Sequence, residues 1–94
     1  NNRYKPKLLV GFSAETENLY ENSLKKLEEK HCDLIIANDV SKKNIGFNGD
    51  NNEVTIIDKN KKIQKIKKNS KRFVAFLIVK KIVDKFLLNE KSLN

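Results

Sequence analysis

The apolar positions along this chain change period in a regular order. Between Lys7 and Phe12, Leu8, Leu9 and Val10 follow one another without polar interruption, which predicts a strand covered on both faces. From Thr16 to about Lys30 the period changes. Leu19, Tyr20, Leu24 and Leu27 recur at helical spacing, with Thr16 placed as N-cap, Glu17 in the first turn and lysines in the last. Asp33 to Ala37 then brings Leu34, Ile35 and Ile36, an apolar run too short for a helix, so it reads as a second buried strand. The three segments form the βαβ unit of a parallel sheet.

Beyond this unit the pattern loosens. Asn38 to Asn52 is rich in Asn, Asp, Ser and Gly, with Gly46 and Gly49 supplying permissive backbone, and reads as a loop long enough to serve binding. Glu53 to Asp58 and Lys61 to Lys65 flank Lys59-Asn60 as a short hairpin, whose lysines suit a sheet edge. Ser70 can cap a helix running to about Leu88. Its Val74, Ala75, Ile78, Val79, Ile82, Val83 and Phe86 cover so much of the circumference that the helix must pack on something broad.

Composition narrows the picture further. A chain of 94 residues with 38% hydrophobic side chains is one small domain, or part of a larger one. Twenty basic against twelve acidic side chains give a formal charge of +8, which favours anionic partners without choosing among nucleic acid, nucleotide phosphates and acidic membrane surfaces. Cys32 is the single cysteine and cannot form an internal disulfide. No apolar run approaches the roughly 18 residues of a membrane span. The expectation is a cytoplasmic protein with no membrane partner.

Candidate chemistry gathers at the ends of the two strands. Val10-Gly11-Phe12-Ser13-Ala14-Glu15-Thr16-Glu17-Asn18 reads as a strand-to-helix turn at a strand's carboxyl end, where open α/β sheets bind their ligands. There Gly11 would let the backbone turn closely. Lys26 and Lys30 lie one helical turn apart, pointing about 40° from one another at the border of the apolar stripe. Two ammonium groups there can reach a polyphosphate, although spacing alone favours solvated lysines near a helix C-terminus. Ala37-Asn38-Asp39 closes the second strand with a small residue, an amide and a carboxylate, which suits either a polar ligand edge or ordinary turn chemistry.

VGFSAETEN, Leu24-Lys25-Lys26-Leu27 with Lys30, Cys32 to Val40 and Gly46 to Val54 follow one another in an order that resembles the C-terminal part of bacterial phosphopantothenate-cysteine ligase. Ser70-Lys71 with Val74-Ala75 resembles the start of that family's last helix. The resemblance implies the C-terminal portion of a Rossmann-like, three-layer parallel-sheet domain. It also implies a reaction in coenzyme A biosynthesis. CTP and magnesium convert the carboxylate of phosphopantothenate into an acyl-cytidylate, and the amine of cysteine then displaces CMP. On the family's pattern Phe12, Lys26 and Lys30 contact the nucleotide, and Ala37, Asn38 and Asp39 stand on the same rim. FMN belongs to the separate decarboxylase domain with which the ligase is often fused.

Departures from the pattern bound the expectation. The family's glycine-rich first half and its lysine motif would precede Asn1, so residues 1–94 are expected to be the C-terminal part of the ligase domain with the N-terminal half absent, inactive and poorly stable or self-associating alone, and homo-oligomeric in the full-length enzyme. Lys65-Ile66-Lys67-Lys68 spells a similar lysine run but in the wrong order relative to the VGF segment, and reads as a solvated basic run. His31 stands where the family often has glycine and reads as a helix-end surface residue; Cys32 reads as a small buried side chain. Two alternatives remain: a small basic nucleic-acid-binding module using Lys59 to Arg72, and an inactive remnant of a split ligase gene. The first lacks aromatics interleaved with its basic run before Phe73.

Overall fold

The computed structural model describes residues 8–41 and 51–92. Six elements follow one another: β1 (Val10–Glu15), α1 (Leu19–Glu29), β2 (Leu34–Asp39), β3 (Asn51–Asp58), β4 (Ile63–Ser70) and α2 (Lys71–Ser92). The strands form one sheet in the order β1-β2-β3-β4, with β1 parallel to β2 and the remaining pairs antiparallel. This is the expected βαβ unit, hairpin and C-terminal helix. Gly46, Gly49 and the remainder of 42–50, read from the sequence as binding loop, lie outside the described residues, as does Lys7.

Side-chain alternation along the strands makes three layers. Leu34, Ile36, Val54, Ile56 and Ile66 face α2 and bury Val74, with Val10, Leu77, Ile78 and Ile82 packed around them. On the opposite face Ile35 and Ile57 meet Leu27, Cys32 and Leu24 beneath α1. Because β2 and β3 are covered on both sides, their apolar runs are continuous. β4 is an edge strand: Ile66 is buried while Lys65 and Lys67 are exposed, so the basic run there is a solvated edge.

The end of β1 and the start of α1 differ from the sequence expectation, and β4 runs to Ser70, five residues past the expected Lys65. VGFSAE is not the turn after a strand; it is the strand. Gly11 pairs with Ile35 in mid-ladder, and a Cβ there would stand 3.0 Å from the Cys32 sulfur, so the glycine serves close packing of β1 on the α1 layer instead of a turn. β1 continues to Glu15 because its odd residues find partners on α1: the Ser13 and Ser23 hydroxyls lie 3.3 Å apart, and Lys26 Nζ donates to Glu15 Oε2 at 2.6 Å. The turn therefore falls at Thr16-Glu17-Asn18. Asn18, in place of Thr16, occupies the N-cap in the left-handed region (φ 48°, ψ 47°), a conformation asparagine tolerates well, and Glu21 in place of Glu17 is the acid of the first turn.

At its far end α1 closes with a Schellman arrangement, in which Cys32 N–H donates to the Leu27 carbonyl at 2.9 Å and His31 N–H to the Glu28 carbonyl at 3.3 Å. His31 takes the left-handed position with φ 55°. Ser70 caps α2 as expected, its Oγ accepting the Phe73 N–H at 3.2 Å.

The hairpin carries a polar fastening that the sequence pattern did not reveal. Asp58 Oδ1 accepts the N–H groups of Asn60 and Lys62 at 2.9 and 3.0 Å, while Oδ2 lies 3.6 Å from Lys85 Nζ on α2. Burial pushes the Asp58 carboxyl up, but the two N–H groups and the Lys85 ammonium outweigh it and hold the carboxyl below its ordinary value.

Candidate nucleotide site

β1 separates the candidate residues by the parity of their positions. Its even residues, Val10, Phe12 and Ala14, face the α2 side; Gly11, Ser13 and Glu15 face α1. Because β2 runs parallel in register, with Phe12 opposite Ile36 and Ala14 opposite Asn38, Asn38 shares the α2 side with Phe12. Strand spacing places their α-carbons about 8 Å apart. Both line an open cavity of about 460 Å³ together with Ala14, Ile36, Val54 and Ile78. Phe12 is 70% exposed, a large ring left uncovered in the middle of a strand. Asn38 Oδ1 has no hydrogen-bond partner, and among the described residues it is the one buried side-chain polar atom in that condition.

On the α1 side Lys26 projects toward the carboxyl end of β1, where Glu15 holds its ammonium. Glu15 is 8% exposed at its side chain and Lys26 is 41% exposed, so the pair has one covered and one open member. An ammonium has three protons, and one contact to Glu15 leaves two for an incoming anion. The sequence analysis gave Glu15 no partner and missed this pairing. The available clue was the small-or-polar alternation Gly11, Ser13, Glu15 opposite Val10, Phe12, Ala14.

Asp39 ends β2 at the same rim, its Oδ1 accepting the Ser41 N–H at 2.9 Å, and it shares a cavity of about 470 Å³ with Glu15, Thr16, Glu17 and Asn18. Ala37 is completely buried. Lys30 stands apart from the others. It caps α1 about 6 Å further along the helix axis than Lys26 and lines a separate cavity of about 800 Å³ at the amino ends of β1 and β2, with His31, Cys32, Asp33 and Lys59. Asp33 there accepts from Leu9 N–H at 2.8 Å and pairs with Lys59 at 3.2 Å. Burial pushes the Cys32 thiol up, against the lowering effect of Lys30, so the sulfur is a packed thiol and not a thiolate nucleophile. Among the described residues no three His, Cys, Asp or Glu side chains cluster so as to hold a metal ion, and no helix is long and apolar enough to cross a membrane.

The exposed aromatic of β1, the unpartnered amide of β2 and the rim lysine of α1 belong to a chain whose sequence and fold match known proteins. Residues 1–86 match the model of the DNA/pantothenate metabolism flavoprotein C-terminal domain. The chain belongs to this family. Its fold matches a crystal structure of the C-terminal domain of coenzyme A biosynthesis bifunctional protein CoaBC, with a TM-score of 0.69 and 33% identity over 96% of this chain and 38% of that one. The CoaBC protein of Bacillus subtilis strain 168 is 42% identical over 78 residues, which is 83% of this chain and 19% of that protein. A cysteine/cysteine sulfinic acid decarboxylase from an unknown prokaryotic organism is 39% identical over 79 residues, 84% of this chain and 22% of that protein. The chain thus spans about a fifth of the length of these curated relatives. Family and fold agree with the likeness to the C-terminal part of the bifunctional coenzyme A biosynthesis flavoprotein expected from the sequence.

Proposed function

We propose that this chain supplies part of the CTP site of a phosphopantothenate-cysteine ligase acting in coenzyme A biosynthesis. The observation that carries the reading is the family match over residues 1–86. The geometry agrees at two points: an exposed aromatic on one side of β1 for the base, and a rim ammonium on the other for phosphate. In this reading the nucleotide crosses the carboxyl end of β1. Lys26 meets its phosphates, held in place by Glu15; Lys30, which lines the cavity at the strands' amino ends, would reach them only by extending back along the helix toward Lys26. Asn38 and Asp39 stand beside the path; Ala37 supports it from below.

The chemistry requires a carboxylate to be given a good leaving group. Attack of the phosphopantothenate carboxylate on the α-phosphorus of CTP forms the acyl-cytidylate and releases pyrophosphate; the cysteine amine then attacks the acyl carbon and CMP departs. Negative charge develops on the phosphates in the first step, and a positioned ammonium stabilises it. Magnesium would arrive on the triphosphate, and FMN would serve only a separate decarboxylase domain. The upstream half of the ligase domain would complete the substrate site and cover apolar surface left open here. Alone, the chain would bind nucleotide without turning it over.

Titration with CTP-magnesium and, separately, with duplex DNA over a salt series tests the reading. The expected result is saturable CTP binding, weakened by Lys26→Ala, against DNA binding that collapses steeply with salt. DNA binding with no CTP binding overturns the ligase reading and favours the nucleic-acid module.

A further inference from the structure

The amide of Asn38 is the feature that packing does not explain. Buried polar atoms almost always find a partner, and an acceptor left without one destabilises the fold unless something else supplies a donor. Asn38 Oδ1 has no partner in the protein. The other side chains lining its cavity, those of Phe12, Ala14, Ile36, Val54 and Ile78, are apolar, and the Ser13 hydroxyl is turned toward Ser23 in the other layer. An amide that no neighbour holds can turn about its terminal torsion, which is broad and roughly two-fold, and so present oxygen to the cavity. The cavity, about 460 Å³, falls in the range of small-molecule sites. An exposed ring on one wall and a single turnable amide on the next suit a flat heterocycle with a hydrogen-bond donor on its edge.

We propose that Asn38 Oδ1 accepts a hydrogen bond from the exocyclic amino group of a cytosine base lying against Phe12, which makes Asn38 the residue that reads the base edge. The proposal rests on the CTP-site reading and adds to it the wall of the sheet on which the base is seated. The base lies on the α2 side of β1, and the phosphates pass around the strand's end to Lys26 on the α1 side. Asparagine alone tolerates uracil as well, because the amide can turn to donate its N–H to the uracil carbonyl. A carboxylate in its place can only accept, so it keeps the cytosine contact and repels the uracil oxygen.

That asymmetry gives a test in which general damage cancels. The ratio of CTP to UTP affinity is measured by calorimetry on the 94-residue chain and on Asn38→Asp and Asn38→Leu, together with the melting temperature of each without ligand. Asn38→Asp is expected to raise the ratio about tenfold, the size of one well-placed base-edge contact. Asn38→Leu is expected to lower affinity for both nucleotides with little change in their ratio, while the melting temperature holds or rises because an orphaned acceptor has been removed. A ratio unchanged in Asn38→Asp, or affinities unchanged in Asn38→Leu, overturns the Asn38 contact and leaves the CTP reading standing. Absence of CTP binding in the unsubstituted chain overturns both.

Discussion

Asp58 shows how much one residue does at the junction of three elements. Its carboxylate closes the β3–β4 turn through two N–H groups and meets Lys85 on α2, both side chains nearly buried at 7% and 11% exposure. Substituting one member of a buried pair leaves the other charge uncompensated, so Asp58→Asn is expected to destabilise the chain by about 3 kcal/mol, measured by urea unfolding at neutral pH. The pH dependence follows from the direction of the shift. The folded carboxyl sits below its ordinary value near 3.8, so the stabilisation is complete above that value and is lost as pH falls through the lower, folded pKa. Asp58→Asn is expected to flatten the acid limb of the stability curve; an unchanged limb would refute the assignment. From the sequence this aspartate was simply a strand end. Its partner lies 27 residues away on a helix, and no local pattern reports such a pairing. The resemblance singled out Phe12 and Lys26 as proposed nucleotide contacts, whereas the pairing of Glu15 with Lys26 was not legible, because it depends on the strand running three residues beyond the expected boundary.

Among the elements, α1 has a sequence signature that the structure shortens at its start. Apolar spacing located the helix, but its ends were set by packing and caps: Ser13 and Glu15 draw β1 onward, and the Schellman arrangement places His31 in the left-handed region. Glycine adopts that conformation freely, whereas a residue with a Cβ meets a penalty of about 1 kcal/mol. His31→Gly is therefore expected to stabilise the chain by about that amount, a rise in melting temperature of roughly 4–8 °C for a domain of this size. Calorimetry that finds His31→Gly neutral or destabilising would show that the imidazole makes a compensating contact. The existence and order of the elements were legible because β2 and β3 are covered on both faces and so read as continuous apolar runs. The alternation in β1 was harder to read, since its α1-facing side is built of glycine, serine and glutamate.

Over the whole molecule the main feature is the helix that carries two apolar stripes. Val74, Leu77, Ile78 and Ile82 face the sheet, while Phe76, Val79, Val83 and Phe86 lie on the other side with between 38% and 61% of their surface exposed. The sequence showed that α2 needed a broad partner; it could not show that the sheet would satisfy only one stripe. A chain presenting the second stripe to water is expected to self-associate as concentration rises, measured by sedimentation equilibrium, and Val79→Lys with Val83→Glu should return it to a monomer. A monomer at every concentration without these changes would count against an unsatisfied face. α2 also follows β4 directly, Ser70 ending the strand and Lys71 opening the helix. One apolar stripe and the Asp58–Lys85 pair then hold a 22-residue rod by one of its sides. Such an element opens as a unit before the sheet does, so its amide protons should exchange together and sooner than those of β2 and β3. Acid should widen that interval, turning one carboxylate into the setting of a latch between partial and complete unfolding.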